Sequence, residues 1–233
     1  MSSTTIFGCT GLVGSHILST LLAPGSSTTI QTISRRAPKS TGPNLQATVE
    51  PDTALWASKL ASLTPAPKTV ISSVGTTRAA AGGITNQWKI DHDLNVELAE
   101  QAKKSGAKTF VFVSSAGIRG MLSGPLPYAQ MKRGVEDKIK ELGFEQAIIL
   151  RPGMIIGERE VAHQGGALMA GFVGLMGKVL GQGARDFVGQ DAEVIARAAV
   201  HAARIAEEGK APEKYWVLEA SDVVKLGRTE WKE

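Results

Sequence analysis

Residues 4–22 read TTIFGCTGLVGSHILSTLL, and this stretch decides the fold. Its apolar start at residues 4–7 predicts a buried strand, and the amphipathic residues 12–22 predict a helix. The turn between them, GCTGLVG at residues 8–14, spaces its glycines as G-x-x-G-x-x-G. A strand, a glycine-rich turn and a helix in that order are typical of the first unit of a doubly wound parallel sheet.

Each glycine of this turn has a function if a dinucleotide binds there. Gly8 allows a tight turn out of the strand, Gly11 has no side chain to block a pyrophosphate, and Gly14 allows close packing of helix on sheet. The first N–H groups of the helix would hold the phosphates. The alternative is a purely structural turn, since the chain contains 26 glycines. We expect a dinucleotide to contact Gly8, Thr10, Gly11, Leu12, Val13 and Gly14.

Short apolar runs alternate with longer amphipathic runs along the rest of the chain. This alternation predicts βαβ units, and right-handed crossovers would place helices on both faces of a parallel sheet. We therefore predict an α/β protein with a Rossmann-like doubly wound sheet and a small C-terminal substrate-side region. Further strands are predicted at residues 28–33, 47–49, 69–72, 109–113, 146–150 and 215–218, and further helices at 54–63, 87–105, 128–142 and 191–207.

A length of 233 residues suits one such domain. We assign residues 1–157 to the dinucleotide-binding core and 158–233 to a C-terminal extension on the substrate or membrane side. A composition of 42% hydrophobic and 21% charged residues excludes a disordered chain and a multi-span membrane protein. The net charge of +4 is spread along the chain, which argues against a nucleic-acid partner.

The single cysteine, Cys9, cannot form an internal disulfide. It is either a small packing residue or a reactive thiol. No Cys/His pair has zinc-ligand spacing, so no metal site is expected. No basic or Arg-rich presequence precedes the first strand, so no secretory signal is expected. The apolar residues 165–180 are either a buried or substrate-facing helix or a helix that touches a membrane surface.

The end of the second predicted strand indicates which dinucleotide binds. An NAD site usually has an acidic residue there, which accepts hydrogen bonds from the ribose hydroxyls. This chain has Ser34-Arg35-Arg36 instead, and guanidinium groups can hold a 2′-phosphate. The sequence predicts NADP(H) in preference to NAD(H), unless these arginines form only a solvated basic loop. The strand predicted at 69–72 runs into Ser73, Val74 and Gly75, which we expect at the same ligand-binding edge.

A candidate catalytic pair lies on the helix predicted at 128–142. Tyr128 and Lys132 form Y-x-x-x-K, which places the phenol and the ammonium on one face of a helix. A nearby positive charge favours the phenolate, so Tyr128 is a candidate proton donor to a carbonyl group. Ser114 and Ser115 end the preceding strand, where a hydroxyl could hold the substrate oxygen.

Together these residues resemble the short-chain dehydrogenase/reductase superfamily, in its extended or atypical form. The resemblance rests on the glycine turn, the strand-end serines, the Tyr/Lys pair and Arg151-Pro152-Gly153. The stretches SSVGTTRAAAGG, KIDHDLNVELAEQAKKSGAKTFVFVSSAG and ILRPGMIIGERE are closer still to small fungal NAD(P)-binding proteins assigned to the mitochondrial outer membrane. That family is similar to the mammalian Tat-interacting oxidoreductase-like protein.

The resemblance implies a role for each matching residue. Ser115, the serine directly before alanine, would orient the substrate; Tyr128 would be the acid/base; and Lys132 would hold the ribose and tune Tyr128. Pro152 and Gly153 would border the nicotinamide. Extended members often carry asparagine in the helix before the serine strand, and by spacing that position is Asp91 here.

Two functions therefore remain open. One is an NADPH-dependent reductase of a small carbonyl compound. The other is an NADPH-binding regulator or scaffold with little turnover. The resemblance also implies a peripheral location on the cytosolic face of the mitochondrial outer membrane, with a cytoplasmic location as the alternative.

Overall fold

The computed structural model describes residues 3–23, 28–120, 123–157 and 189–232. The strands in these ranges are β1 (Ser3–Phe7), β2 (Thr29–Ser34), β3 (Leu45–Val49), β4 (Thr69–Ser72), β5 (Thr109–Val113), β6 (Gln146–Leu150), β7 (Met154–Ile156), β8 (Gly189–Asp191) and β9 (Tyr215–Leu218).

Seven of these strands form one parallel sheet in the order β3-β2-β1-β4-β5-β6-β9. From β1 the chain first adds β2 and β3 on one side of the sheet and then adds β4 and the later strands on the other side. Doubly wound sheets open a ligand crevice where the strand order reverses in this way, which here is between β1 and β4. Strands β7 and β8 form a separate parallel pair. The predicted doubly wound α/β fold is confirmed.

The helices cover both faces of the main sheet. Strands β1, β4 and β5 are buried along their whole length, and β5, TFVFV, is accordingly a nearly continuous apolar run. The helices are α1 (Leu12–Leu21), α2 (Trp56–Ala61), α3 (Ile84–Trp88), α4 (Leu94–Lys104), α5 (Pro127–Leu142), α6 (Ala192–Glu207) and α7 (Ala220–Val224), with a 3₁₀ turn at Thr53–Leu55 and π-helical turns at Lys89–Asp93 and Lys225–Thr229.

Alternate residues of each strand point to two different cores. In β1, Ile6 packs with α1 and α6, whereas Phe7 packs with α2, α4 and α5. Helix α6 is rich in buried alanines, and these small side chains allow it to lie close along α1. Strand β9 pairs with β6, so residues 189–232 contribute to the same core as the N-terminal part.

One predicted helix is interrupted. Residues 87–105 read as one continuous helix, but the structure has α3, the π-helical turn Lys89–Asp93 and α4 in succession. The buried amide of Asn95 donates to the carbonyl oxygens of Ile90 at 3.0 Å and Asp91 at 3.3 Å, which stabilises the widened turn. Such turns are often found at functional sites, and this one places Asp91 at the crevice.

Two predictions concern the membrane. Among the described residues, every helix is too short or too polar to span a bilayer. The apolar stretch 165–180, for which a membrane-touching helix was one interpretation, lies outside the described residues.

Candidate functional site

A cleft of about 620 Å³ opens at the carboxyl ends of β1 and β4. It runs from the glycine turn to the start of α5, so it brings the two predicted halves of the site together. Its lining comprises Thr10, Gly11, Leu12, Val13, Ser15, His16, Arg36, Lys39, Ser73, Val74, Gly75, Thr76, Thr77, Ala80, Asp91, Val113, Ser114, Tyr128, Lys132 and Ile155.

The glycine turn has the geometry that a dinucleotide requires. Gly8 has φ +83°, and a Cβ there would lie 2.8 Å from Ser73 Oγ, so only glycine fits. A Cβ on Gly14 would collide with the carbonyl oxygen of Gly8. The N–H of Gly11 donates to that same carbonyl at 2.8 Å, which closes the turn.

Helix α1 begins at Leu12 with no side chain capping its first N–H groups. Its first turn also contains no acidic residue. These N–H groups and the helix dipole are therefore available to a phosphate group in the cleft.

The cleft has a basic end beside α1 and the loop after β2. Arg36 lines it, while the exposed Arg35 does not belong to the lining. Ser34 is buried, and its Oγ donates to the Arg36 carbonyl at 2.7 Å, so it shapes the loop. The structure adds Lys39 and His16 to this end. Sequence reasoning missed both, although His16 lies one helical turn beyond Leu12 on the glycine-turn helix.

Tyr128 and Lys132 line the opposite end of the cleft from α5. The helix begins at Pro127, whose ring suits the first helical position. Tyr128 is 42% exposed, whereas Lys132 is buried. Lys132 Nζ donates to the Val113 carbonyl at 3.1 Å and lies 4.7 Å from the centre of the Phe112 ring.

Burial lowers the pKa of Lys132, and the neighbouring carboxylates of Asp91 and Glu136 oppose that decrease. The ammonium is thus held by fixed protein groups at the point where β5 ends. It lies on the same face of α5 as the phenol of Tyr128.

The two strand-end serines differ in their surroundings. Ser114 is buried, lines the cleft and donates to Glu136 Oε1 at 2.7 Å. Ser115 is half-buried, lies outside the lining, and its Oγ is 3.5 Å from the carbonyl oxygen of Ala116. The choice of Ser115 as the substrate-orienting serine stays a prediction.

A buried carboxylate that sequence reasoning missed organises this end of the site. Glu136, one turn beyond Lys132, is fully buried and accepts hydrogen bonds from Ser114, Arg119 and Arg151. Burial alone would raise the pKa of Glu136, but the hydrogen bonds from Arg151 and Ser114 hold it below its usual value. The spacing of four from Lys132 is the signal that could have indicated it.

Pro152 and Gly153 follow β6 beside this carboxylate cluster. The Pro152 carbonyl accepts from Ala116 N at 2.7 Å, and Gly153 N donates to the side chain of Gln190 at 2.6 Å. They connect the β5 loop to β8, and the nearby residue that lines the cleft is Ile155.

The loop after β4 forms the floor of the cleft. Ser73, Val74 and Gly75 line it, and their contact with a dinucleotide stays a prediction. Asp91 lies beside this loop, lines the cleft and is fully buried, and its Oδ1 accepts from Thr76 N at 2.6 Å.

A buried asparagine does occur in this region, one turn beyond Asp91. Asn95 Oδ1 accepts from Ser72 Oγ at 2.6 Å. Asp91 therefore faces the cleft, while Asn95 fixes the end of β4 to α4.

Cys9 is buried in the turn, and burial raises the pKa of its thiol. A buried thiol with a raised pKa stays protonated and inert, which favours the packing interpretation over a reactive group.

Comparison with known proteins finds relatives that are similar to this chain over its whole length. "Protein FMP52, mitochondrial" of Chaetomium globosum is 62% identical over 233 residues and covers 100% of both chains. "Protein fmp-52, mitochondrial" of Neurospora crassa is also 62% identical, over 100% of this chain and 98% of its own.

Solved structures are similar in fold. The Bordetella bronchiseptica enzyme WbmH, solved with NAD+, matches with TM-score 0.63 at 18% identity, covering 94% of this chain and 75% of its own. The UDP-Glc/GlcNAc 4-epimerase of Campylobacter jejuni matches with TM-score 0.66 at 14% identity, covering 97% and 82%.

The family model described as "NAD dependent epimerase/dehydratase family" matches residues 4–217, which include the glycine turn, the Tyr/Lys pair and most of β9. The resemblance predicted from the motifs is confirmed: the chain belongs to the NAD-dependent epimerase/dehydratase family, the extended short-chain dehydrogenase/reductases with an NAD(P)-binding Rossmann fold.

Proposed function

We propose that this protein binds NADP(H) and reduces a small carbonyl compound. The observation that carries the proposal is a single cleft, with a glycine turn and basic residues at one end and Tyr128 and Lys132 at the other. A dinucleotide laid along it would have its adenosine phosphate beside Arg36 and its nicotinamide beside Tyr128.

The preference for NADP(H) is supported by the charge at the adenosine end. Arg36, Lys39 and His16 line this end, and the segment that follows β2 contains no carboxylate until Glu50. A hydrogen bond to a charged group contributes about 1.5–3 kcal/mol, so one such contact to a 2′-phosphate favours NADPH over NADH about ten- to hundredfold.

The residues at the other end suit reduction of a carbonyl. NADPH supplies the hydride when it is bound. Tyr128 would donate a proton to the substrate oxygen, Lys132 would hold the ribose, and a strand-end serine would hold the substrate oxygen. We retain Ser115 for that last role, with Ser114 as the alternative because it lines the cleft. The Ser114 hydroxyl would have to give up its hydrogen bond to Glu136 to take that role.

The cofactor assignment is tested by paired titrations of the purified protein with NADPH and NADH. We expect the dissociation constant for NADPH to be at least tenfold lower. Equal constants would contradict the preference, and binding of neither nucleotide would contradict the proposed function itself.

The reaction is tested by NADPH oxidation across a panel of small aldehydes and ketones. Tyr128→Phe should bind NADPH with unchanged affinity and lose turnover. Tight NADPH binding without turnover by the parent protein would instead favour the alternative, a regulator or scaffold that senses NADPH.

We further propose that the protein works at the cytosolic face of the mitochondrial outer membrane, as a peripheral protein. The names of the fungal relatives, which include "mitochondrial", support the organelle. The test is extraction of isolated mitochondria with alkaline carbonate, combined with protease treatment of the intact organelles. Release by carbonate and cleavage by external protease are expected; protection from protease would contradict this placement.

A further inference from the structure

At the end of the cleft that Tyr128 lines, two buried charged residues, Asp91 and Lys132, lie near each other. Asp91 and Lys132 both line the cleft, and both are almost completely shielded from water. A Cβ placed on Gly75 would lie 3.4 Å from Asp91 Oδ1 and 3.9 Å from Lys132 Nζ. The two charged groups therefore converge on the same glycine.

Each partner is fixed by contacts with the ends of neighbouring strands. Asp91 accepts hydrogen bonds from Thr76 N at 2.6 Å and from Gln87 Nε2 at 3.1 Å. Lys132 donates to the carbonyl of Val113. The carboxylate thus ties the loop after β4, and the ammonium ties the end of β5, on opposite sides of one narrow gap.

We propose that Asp91 is a positioning residue that serves as the buried counter-ion of Lys132, keeping its ammonium charged beside Val113 and ready to bind a ribose. This inference rests on the proposed function.

The balance of charges around Lys132 supports this role. Burial disfavours an ammonium, and a neighbouring carboxylate offsets that cost. The carboxylates that act on Lys132 are Asp91 from the π-helical turn and Glu136 from α5. Glu136 is shared with Arg119 and Arg151, so most of its charge is already compensated.

Other titratable groups packed near this gap are Tyr128 on the same face of α5 and His92, whose ring lies against Gly134 of α5. His92 is paired with Asp93 at 2.8 Å. Because Glu136 is shared with two arginines, Asp91 is the carboxylate whose charge is directed mainly at Lys132.

The test is a direct titration of Lys132 by NMR of protein labelled with ¹³C at lysine Cε, without any nucleotide. The chain has 15 lysines, and Lys132→Arg identifies the resonance by its disappearance. In Asp91→Asn we expect the Lys132 midpoint to fall by about 1–3 pH units, the usual effect of losing an opposite charge at this range. Asp93→Asn, two residues away on the exposed side of the same turn, should leave it unchanged.

An unchanged or raised Lys132 midpoint in folded Asp91→Asn would overturn the proposal. If that variant does not fold, the reciprocal measurement decides: in Lys132→Met, the ¹³Cγ titration of Asp91 must move to higher pH, and an unmoved titration overturns the proposal equally. Because no cofactor is present, either failure is distinguishable from a failure of the NADP(H) assignment.

Discussion

Replacing the buried carboxylate of Glu136 should lower the free energy of unfolding more than replacing a charged side chain at the surface. Glu136 is fully buried and accepts hydrogen bonds from Nε and Nη2 of Arg151, at 3.1 and 2.7 Å, and from Nε of Arg119 at 3.1 Å. Removing one partner of a buried ion pair usually destabilises by about 3–5 kcal/mol. We expect Glu136→Gln to cost about 3 kcal/mol, the lower end of that range, because Arg151 keeps its pairing with Glu219.

The assay is urea unfolding followed by tryptophan fluorescence, with Asp137→Asn as the matched control. Asp137 is next in sequence and pairs with Arg119 at the surface, where an ion pair contributes at most about 1 kcal/mol. A loss for Glu136→Gln no larger than for the control would refute the reasoning.

The same pair of proteins gives a pH dependence. The pKa of Glu136 is held below its usual value, so its stabilisation is present at neutral pH and is lost as pH falls through the lowered pKa. The difference in unfolding free energy between parent and Glu136→Gln should therefore shrink below about pH 4, near the ordinary glutamate pKa. A difference that stays constant down to pH 3 would contradict the assignment.

Three further predictions concern the glycine turn and the cleft beside it. Gly14→Ala should destabilise the protein by about 1–3 kcal/mol through overpacking and weaken dinucleotide binding, measured by thermal unfolding and NADPH titration, while Gly124→Ala, where a Cβ meets open space, should do neither. Arg36→Ala should weaken NADPH binding about tenfold or more and leave NADH binding unchanged, whereas Arg35→Ala, outside the cleft lining, should change both little; equal losses in the two variants would contradict the assignment of Arg36. Cys9 should resist a thiol reagent such as dithionitrobenzoate in the native protein and react once urea unfolds it, and rapid native labelling would contradict its packing role.

Local patterns in the sequence were enough to predict the fold and the glycine turn. Strand periodicity and the glycine spacing depend on neighbours within a few residues, so the first βα unit and the placement of Gly8 and Gly14 could be derived directly. The pairing of Tyr128 with Lys132 is also local, because residues four apart share a helix face.

Tertiary structure alone decided which side chains meet across the cleft. Lys39 and His16 come from different elements, and only the packing of α1 beside the β2 loop brings them to the end where Arg36 lies. Likewise, no spacing rule relates Asp91 to Lys132 or Glu136 to Arg151, because contacts between residues 15 to 41 positions apart depend on strand order and helix packing rather than on local periodicity.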